Sequence, residues 1–234
     1  MAGKLYLIPS TIGNAPVEEV IPQHIFSIIN RIRYYIIEDE RTGRRMLLSF
    51  GLQIPVNDLI FFVLDKHTIH NELIGFMEYA SENDIGLLSE AGVPSIADPG
   101  SEVVLLAHQR NIEVVPLVGP SSILMAMMAS GLNGQNFAFN GYLPIQSNDR
   151  IKKLKQLEQR SNSENQSQIF IETPYRNNQM VADILNTCSG NTLLCIATDI
   201  TSEEASIQTH TISDWINRPI RLNKRPTVFI LHKK

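Results

Sequence analysis

A chain of 234 residues, 43% of them apolar and 19% charged, can bury one sizeable core or two modest ones. Its net charge of −4 excludes a protein that coats nucleic acid indiscriminately, although a local basic face is compatible with it. Every apolar run is broken within about ten residues, well short of a membrane span. The opening Met-Ala-Gly-Lys leads into an apolar stretch without a signal-peptide cleavage pattern, so a cytoplasmic location is expected.

Lys4 to Pro9 reads as a strand closed by a turn cluster of Pro, Ser, Thr, Gly and Asn. Apolar residues at helical spacing predict one helix over Val17 to Ile29, with Pro16 at its start. Tyr34 to Ile37 is a strand, followed by Glu38-Asp39-Glu40 and a helix from Arg41 to Phe50. A weaker strand, Leu59 to Leu64, precedes a helix near Asn71 to Ala80. Then come strand Ile85 to Leu88, a long loop Ser89 to Gly100, helix Glu102 to Gln109 and strand Ile112 to Pro116. Strands alternating with helices imply right-handed crossovers and a mainly parallel sheet.

The pattern restarts after Pro116, so two α/β domains are expected, residues 1–116 and 117–234. Ser121 to Ala129 is a helix rich in small residues and Met, and a strand follows near Phe137 to Phe139. Gln146 to Gln168 holds a basic helix in its middle, and its closing SNSENQSQ reads as a mobile loop. The remaining predictions are strand Ile169 to Ile171, helix Gln179 to Leu185, and strands Thr192 to Ala197, Ser206 to Thr211 and Thr227 to Leu231. Because the last strands lack intervening helices, the second sheet should be mixed.

Ligands of open α/β sheets bind beyond the C-terminal strand ends. Four stretches fall there: Pro9 to Asn14, Glu38 to Arg45, Ser89 to Gly100 and Val118 to Ser122. Twelve Gly- and Pro-rich residues are long for a plain connection, and they offer main-chain groups to a ligand. Gly119-Pro120-Ser121 suits a helix start, which either caps the helix or receives an anion. GxGxxG, GK[ST], GxSxG and HExxH are all missing from the sequence. The six histidines, His67 among them, read as ordinary surface or partly buried residues. Cys188 and Cys195 read as buried thiols, and no metal is expected. Basic residues gather at Arg41, Arg44 and Arg45, at Arg150, Lys152, Lys153 and Lys155, and at Arg218, Arg221, Lys224 and Arg225.

Taken in order, these loops resemble the tetrapyrrole methylase superfamily, and within it the bacterial 16S ribosomal RNA (cytidine-2′-O)-methyltransferases. Pro9-Ser10-Thr11-Ile12-Gly13-Asn14 stands where that family has ATPIGN, and Glu38-Asp39-Glu40-Arg41 with Arg44 and Leu47 where it has AEDTRxTRxLL. Ser89 to Gly100 follows SDAGTPxISDPG, Val114 to Pro120 follows VVPLPGP, and Ser130-Gly131-Leu132 follows the end of SAAGL. Gly141-Tyr142-Leu143-Pro144 and Phe170 to Arg176 match GFLP and FYESPHR. The resemblance runs from about Lys4 to Leu231, with Thr11, Glu40 and Glu90 departing from the pattern.

The resemblance implies a two-domain fold with a mainly parallel N-terminal sheet, a mixed C-terminal sheet and S-adenosylmethionine in a cleft between them. It further implies a homodimer acting on ribosomal RNA or the small ribosomal subunit. Transferred onto this sequence, the cofactor residues would be Ser89, Glu90, Ala91, Gly92, Pro94 and Asp98, then Gly119, Pro120 and Ser121, and in the second domain Glu172, Ala197 and Thr227. Asn14, Arg41, Arg44 and Arg45 would meet the substrate. If the methyl acceptor is a ribose 2′-hydroxyl, Glu38, Asp39 and Glu90 are the candidates to take its proton, and each could equally be a cap or an ion-pair partner. A small tetrapyrrole-like acceptor and a non-catalytic RNA-binding relative stay open as alternatives.

Overall fold

The computed structural model describes residues 3–65 and 68–233, and His67 lies outside the described residues. The chain divides into two compact units, Met1–Ser121 and Ser122–Lys234.

The first unit is built on the parallel strands β1 (Lys4–Ile8), β2 (Tyr34–Ile37), β3 (Ile60–Val63), β4 (Ile85–Leu88) and β5 (Glu113–Pro116). Their order across the sheet is β3-β2-β4-β1-β5. The period-two alternation of β1 sends Tyr6 and Ile8 to one face and Leu5 to the other. On the first face lie α1 (Val17–Val20), α2 (His24–Ile29) and α3 (Glu40–Ser49), of which α2 and α3 contribute Ile25, Ile29 and Leu47 to the core. On the second lie α4 (His70–Ala80) and α5 (Ser101–Gln109), through Leu73, Met77, Val103 and Leu106. The crossovers leaving β1 and β2 therefore run on one face and the one leaving β4 on the other. Since β4 sits between β1 and β2, ligands are expected beyond its C-terminal end, and a small cleft opens there on the β2 side, lined by Ile37, Glu38, Leu88 and Ser89.

The single helix expected over Val17 to Ile29 is two short ones. Pro22 lacks the N–H that would continue the first helix, and it holds Ile21 extended at φ −110° and ψ 120°.

The second unit orders its strands β6-β7-β10-β8-β9, with β6 and β7 parallel and the other neighbours antiparallel. They are β6 (Phe137–Tyr142), β7 (Ser167–Glu172), β8 (Leu193–Thr198), β9 (Ser206–Thr211) and β10 (Thr227–His232). One face carries α6 (Ser122–Ser130), packed through Ile123, Ala126 and Met127. The other carries α7 (Ser147–Glu164), α8 (Asn177–Thr187) and α9 (Ile212–Ile216). Cys188 and Cys195 are both free and buried, and burial pushes the Cys188 thiol up to about 12. Among the described residues, no helix is long and apolar enough to cross a membrane.

SNSENQSQ is ordered, contrary to the expectation of a mobile loop. Its first four residues complete α7, Asn165 ends that helix in the left-handed conformation at φ 47°, and Ser167 and Gln168 begin β7. Polarity misled here because the buried members find partners. Ser161 Oγ accepts from Lys233 N, and Ser167 Oγ donates to Asn133 O.

Candidate active site

Three C-terminal strand ends meet around β4. Ser10, just past β1, pairs with Gly92 through two backbone hydrogen bonds of 2.8 and 3.2 Å. The Ser10 hydroxyl also donates to Ser89 O, which ties the loop after β1 to the loop after β4. Ser89 Oγ donates to Asp98 Oδ2 at 2.5 Å, drawing the far end of the Ser89–Gly100 loop back to its start. Gly92 sits at φ 75°, a conformation that a β-carbon resists, and a β-carbon there would come within 3.3 Å of Pro120 O. Thus Ser89, Gly92, Asp98 and the Gly119-Pro120 turn, predicted from separate stretches, come together in one region. Ala91 and Glu90 are exposed on the same loop, and Pro94 is buried under it.

Carboxylates crowd this crevice. Glu38, directly after β2, shares a small cleft with Asp39, Thr42, Met46, Ser89 and Glu90. Burial, reinforced by the negative charges of Asp98 and Glu90, pushes the Glu38 carboxyl up to about 7. Asp98 is also raised by burial, against the opposing effect of its bond from Ser89. Asp39 behaves differently. It caps α3 by accepting from Thr42 N at 2.8 Å, and the hydrogen bonds from Thr42 hold its carboxyl low.

The arginines of α3 also differ among themselves. Arg44 is committed to Glu40 at 2.6 Å and lies over the Phe61 ring at 5.1 Å, whereas Arg41 and Arg45 are exposed. Asn14 is exposed in the loop after β1. Arg150, expected on a basic surface with Lys152, Lys153 and Lys155, is instead buried at 5% exposure. It pairs with Asp183 at 2.5 Å and donates to Ile145 O at 2.6 Å, so it belongs to the core and the basic surface loses its charge.

In the second unit, Glu172 and Thr227 stand opposite each other at the edge where β7 meets β10, and Ala197 lies across from Val228 one residue further along. Glu172 accepts from Arg176 at 2.5 Å, while its other oxygen is buried with no partner among the described residues. Thr227 Oγ1 accepts from Asn177 at 3.1 Å. Two further groups lie in stretches expected at the strand ends but are not among the individual candidate residues. One is Ser10, the tie between loops. The other is Ser95, whose hydroxyl is buried in the Ser89–Gly100 loop with no partner among the described residues.

No family model matches the chain. Among solved structures, the methyltransferase CobJ superposes with a TM-score of 0.64 over 99% of this chain and 94% of its own, at 16% identity. A uroporphyrin-III C-methyltransferase from Thermus thermophilus gives 0.54 over the same shares, at 14% identity. Both establish the fold. The ribosomal RNA small subunit methyltransferase I of Synechocystis is 30% identical over 85% of this chain and 67% of its own. The chain belongs to that methyltransferase family. Relatives of the same description from Vibrio cholerae and Pasteurella multocida are each 29% identical. They match 97% and 100% of this chain, and 76% and 80% of their own lengths. As a member of the family the chain is a methyltransferase, and it shares its fold with the two solved methyltransferases.

Proposed function

We propose that this methyltransferase moves a methyl group from S-adenosylmethionine to a ribose 2′-hydroxyl of small-subunit ribosomal RNA. The observation that carries the proposal is Glu38, a carboxyl held near neutrality at a strand end, from which a helix bearing Arg41 and Arg45 departs. The names of the relatives agree with it.

Two features of the residues around the crevice support such a cofactor. Ser95 holds a hydroxyl unpaired among the described residues, and the carboxylates suit a sulfonium cation. Ser89, Glu90, Ala91, Gly92, Pro94, Asp98, Gly119, Pro120 and Ser121 of the first unit would hold the cofactor. When bound, S-adenosylmethionine supplies an activated methyl group on a good leaving group, so positioning supplies most of the catalysis. Glu38, once ionised, takes the proton of the 2′-hydroxyl, and its near-neutral carboxyl matches that task. Asp39 starts α3 and so orients the arginines, with Arg41 and Arg45 meeting phosphates and Asn14 the substrate at the crevice mouth. We place the enzyme in the cytoplasm and as a homodimer, the latter open to sedimentation at micromolar concentration.

The test is methylation of small ribosomal subunits with radiolabelled cofactor, followed by nuclease digestion. Label in a 2′-O-methylated nucleoside is expected. Label on a base, or only in a small-molecule pool, would overturn the proposal.

A further inference from the structure

The third basic cluster of the sequence borders a separate pocket in the second unit. It lies on the sheet face that carries α7 to α9, the face opposite α6. Its volume is about 120 Å³, with Ile196, Trp215 and Leu222 as an apolar floor and Gln208, Arg221 and Arg225 at the rim.

The two arginines do different things. Arg225 is fixed by an ion pair with Asp199, and its Nη2 donates to Glu204 O at 2.6 Å, so it forms a wall with its charge already compensated. Arg221 is exposed and has no carboxylate partner among the described residues. An exposed guanidinium beside an apolar floor and an open amide is the combination that receives an unstacked base. The ring packs on apolar or aromatic atoms and under the guanidinium plane, and the amide meets its edge. A simple anion would have no use for the floor, and a peptide would need a longer groove than this cavity offers. So small a cavity also suits a one-ring base better than a purine.

We propose that this pocket receives one splayed-out pyrimidine of the RNA chain, seated on Trp215 and Leu222 and covered by Arg221. The proposal rests on the RNA reading above, and it adds a recognition subsite away from the methyl-transfer crevice.

Trp215 is the protein's single tryptophan, so its emission reports on this floor alone. The full chain is titrated with dye-labelled oligouridylate and oligoadenylate, following polarisation for binding and tryptophan emission for the pocket. Oligouridylate should quench the emission more than oligoadenylate. Arg221→Ala should weaken oligouridylate binding roughly fivefold or more, as removal of one stacking partner does. It should also abolish the quench, and Gln208→Ala should narrow the difference between the two oligonucleotides. Arg160→Ala, which removes an exposed charge on α7, controls for charge alone and should leave the quench intact. Binding by polarisation with unmoved emission, or equal effects of the Arg221 and Arg160 variants, overturns the subsite and leaves the RNA reading standing. Equal quenching by both oligonucleotides overturns the pyrimidine assignment. Absence of polarisation change for every variant at low salt overturns the RNA reading and the subsite with it.

Discussion

Gly119 packs so closely on Pro9 that a β-carbon on Gly119 would lie 2.1 Å from Pro9 Cβ and 2.3 Å from its Cγ. The turn before α6 and the loop after β1 are therefore locked by the lack of one side chain. Gly119→Ala should lower stability by about 1–3 kcal/mol, the usual cost of overpacking. Pro9→Gly removes both clashing atoms, so the double variant should be more stable than the two single effects added together. Denaturant unfolding of the four proteins reads this coupling, and simple additivity would show that the packing of Gly119 on Pro9 does not matter.

Gly92 offers the complementary experiment. Its β-carbon would meet only ordinary or slightly tight contacts, so the strain of Gly92→Ala comes chiefly from φ 75°. The expected result is a folded variant with weakened S-adenosylmethionine binding in calorimetric titration. An unchanged affinity would remove Gly92 from the proposed cofactor residues.

Glu38 predicts a pH dependence with a definite sign. Its carboxyl is raised from 4.5 to about 7, because the fold penalises the ionised form. Its contribution to stability is therefore complete below about 4.5 and is lost as pH rises through about 7. Activity runs the other way, since the ionised form is the proton acceptor, and should climb through the same range. Glu38→Gln should lose the activity and its pH limb, and above pH 7 it should melt higher than wild type. A variant retaining a wild-type pH–rate profile would exclude Glu38 as the base.

Arg150 and Asp183 form a buried pair at 6% and 8% side-chain exposure. Asp183→Ala leaves a guanidinium stranded in the core and should cost about 3–5 kcal/mol, whereas Arg150→Met with Asp183→Leu should come out near neutral. Denaturant midpoints separate these outcomes. A mild effect of the single variant would mean that Arg150 can swing out to solvent.

The parallel first sheet and the mixed second sheet were legible from the sequence because buried strands such as β4 leave unbroken apolar runs bounded by turns. The loop carrying Ser89, Gly92 and Asp98 was legible for the same kind of reason, because its Gly and Pro residues punctuate it. Arg150 was not. Its burial depends on Asp183, thirty-three residues away, and a sequence offers no sign of that pairing. Polar Ser161, Gln166 and Gln168 look like a loop until their long-range partners are known. The short α9 escaped because five residues cannot display a helical period. Local chemistry can be read locally, whereas a charge satisfied at a distance cannot.

The last prediction concerns how the arginines of α3 divide the work of holding RNA. Each arginine taken off a phosphate should lower the salt slope of binding by about one. Equal contributions from Arg41, Arg44 and Arg45 are not expected. Arg44 is held by Glu40 and by the Phe61 ring, so its charge is partly compensated and its guanidinium is not free to seek a phosphate. Arg41 and Arg45 are exposed on the same helix. Arg41→Gln and Arg45→Gln should each flatten the slope and weaken RNA binding while leaving cofactor affinity unchanged. Arg44→Gln should have the smaller effect on binding, and Glu40→Gln should strengthen it by freeing Arg44. Filter binding of small-subunit RNA across a salt series measures all four variants. If Arg44→Gln has the largest effect, its pairing with Glu40 gives way when RNA binds, and the phosphate path runs along the Phe61 side of the helix. A salt-insensitive wild type would remove RNA as the substrate.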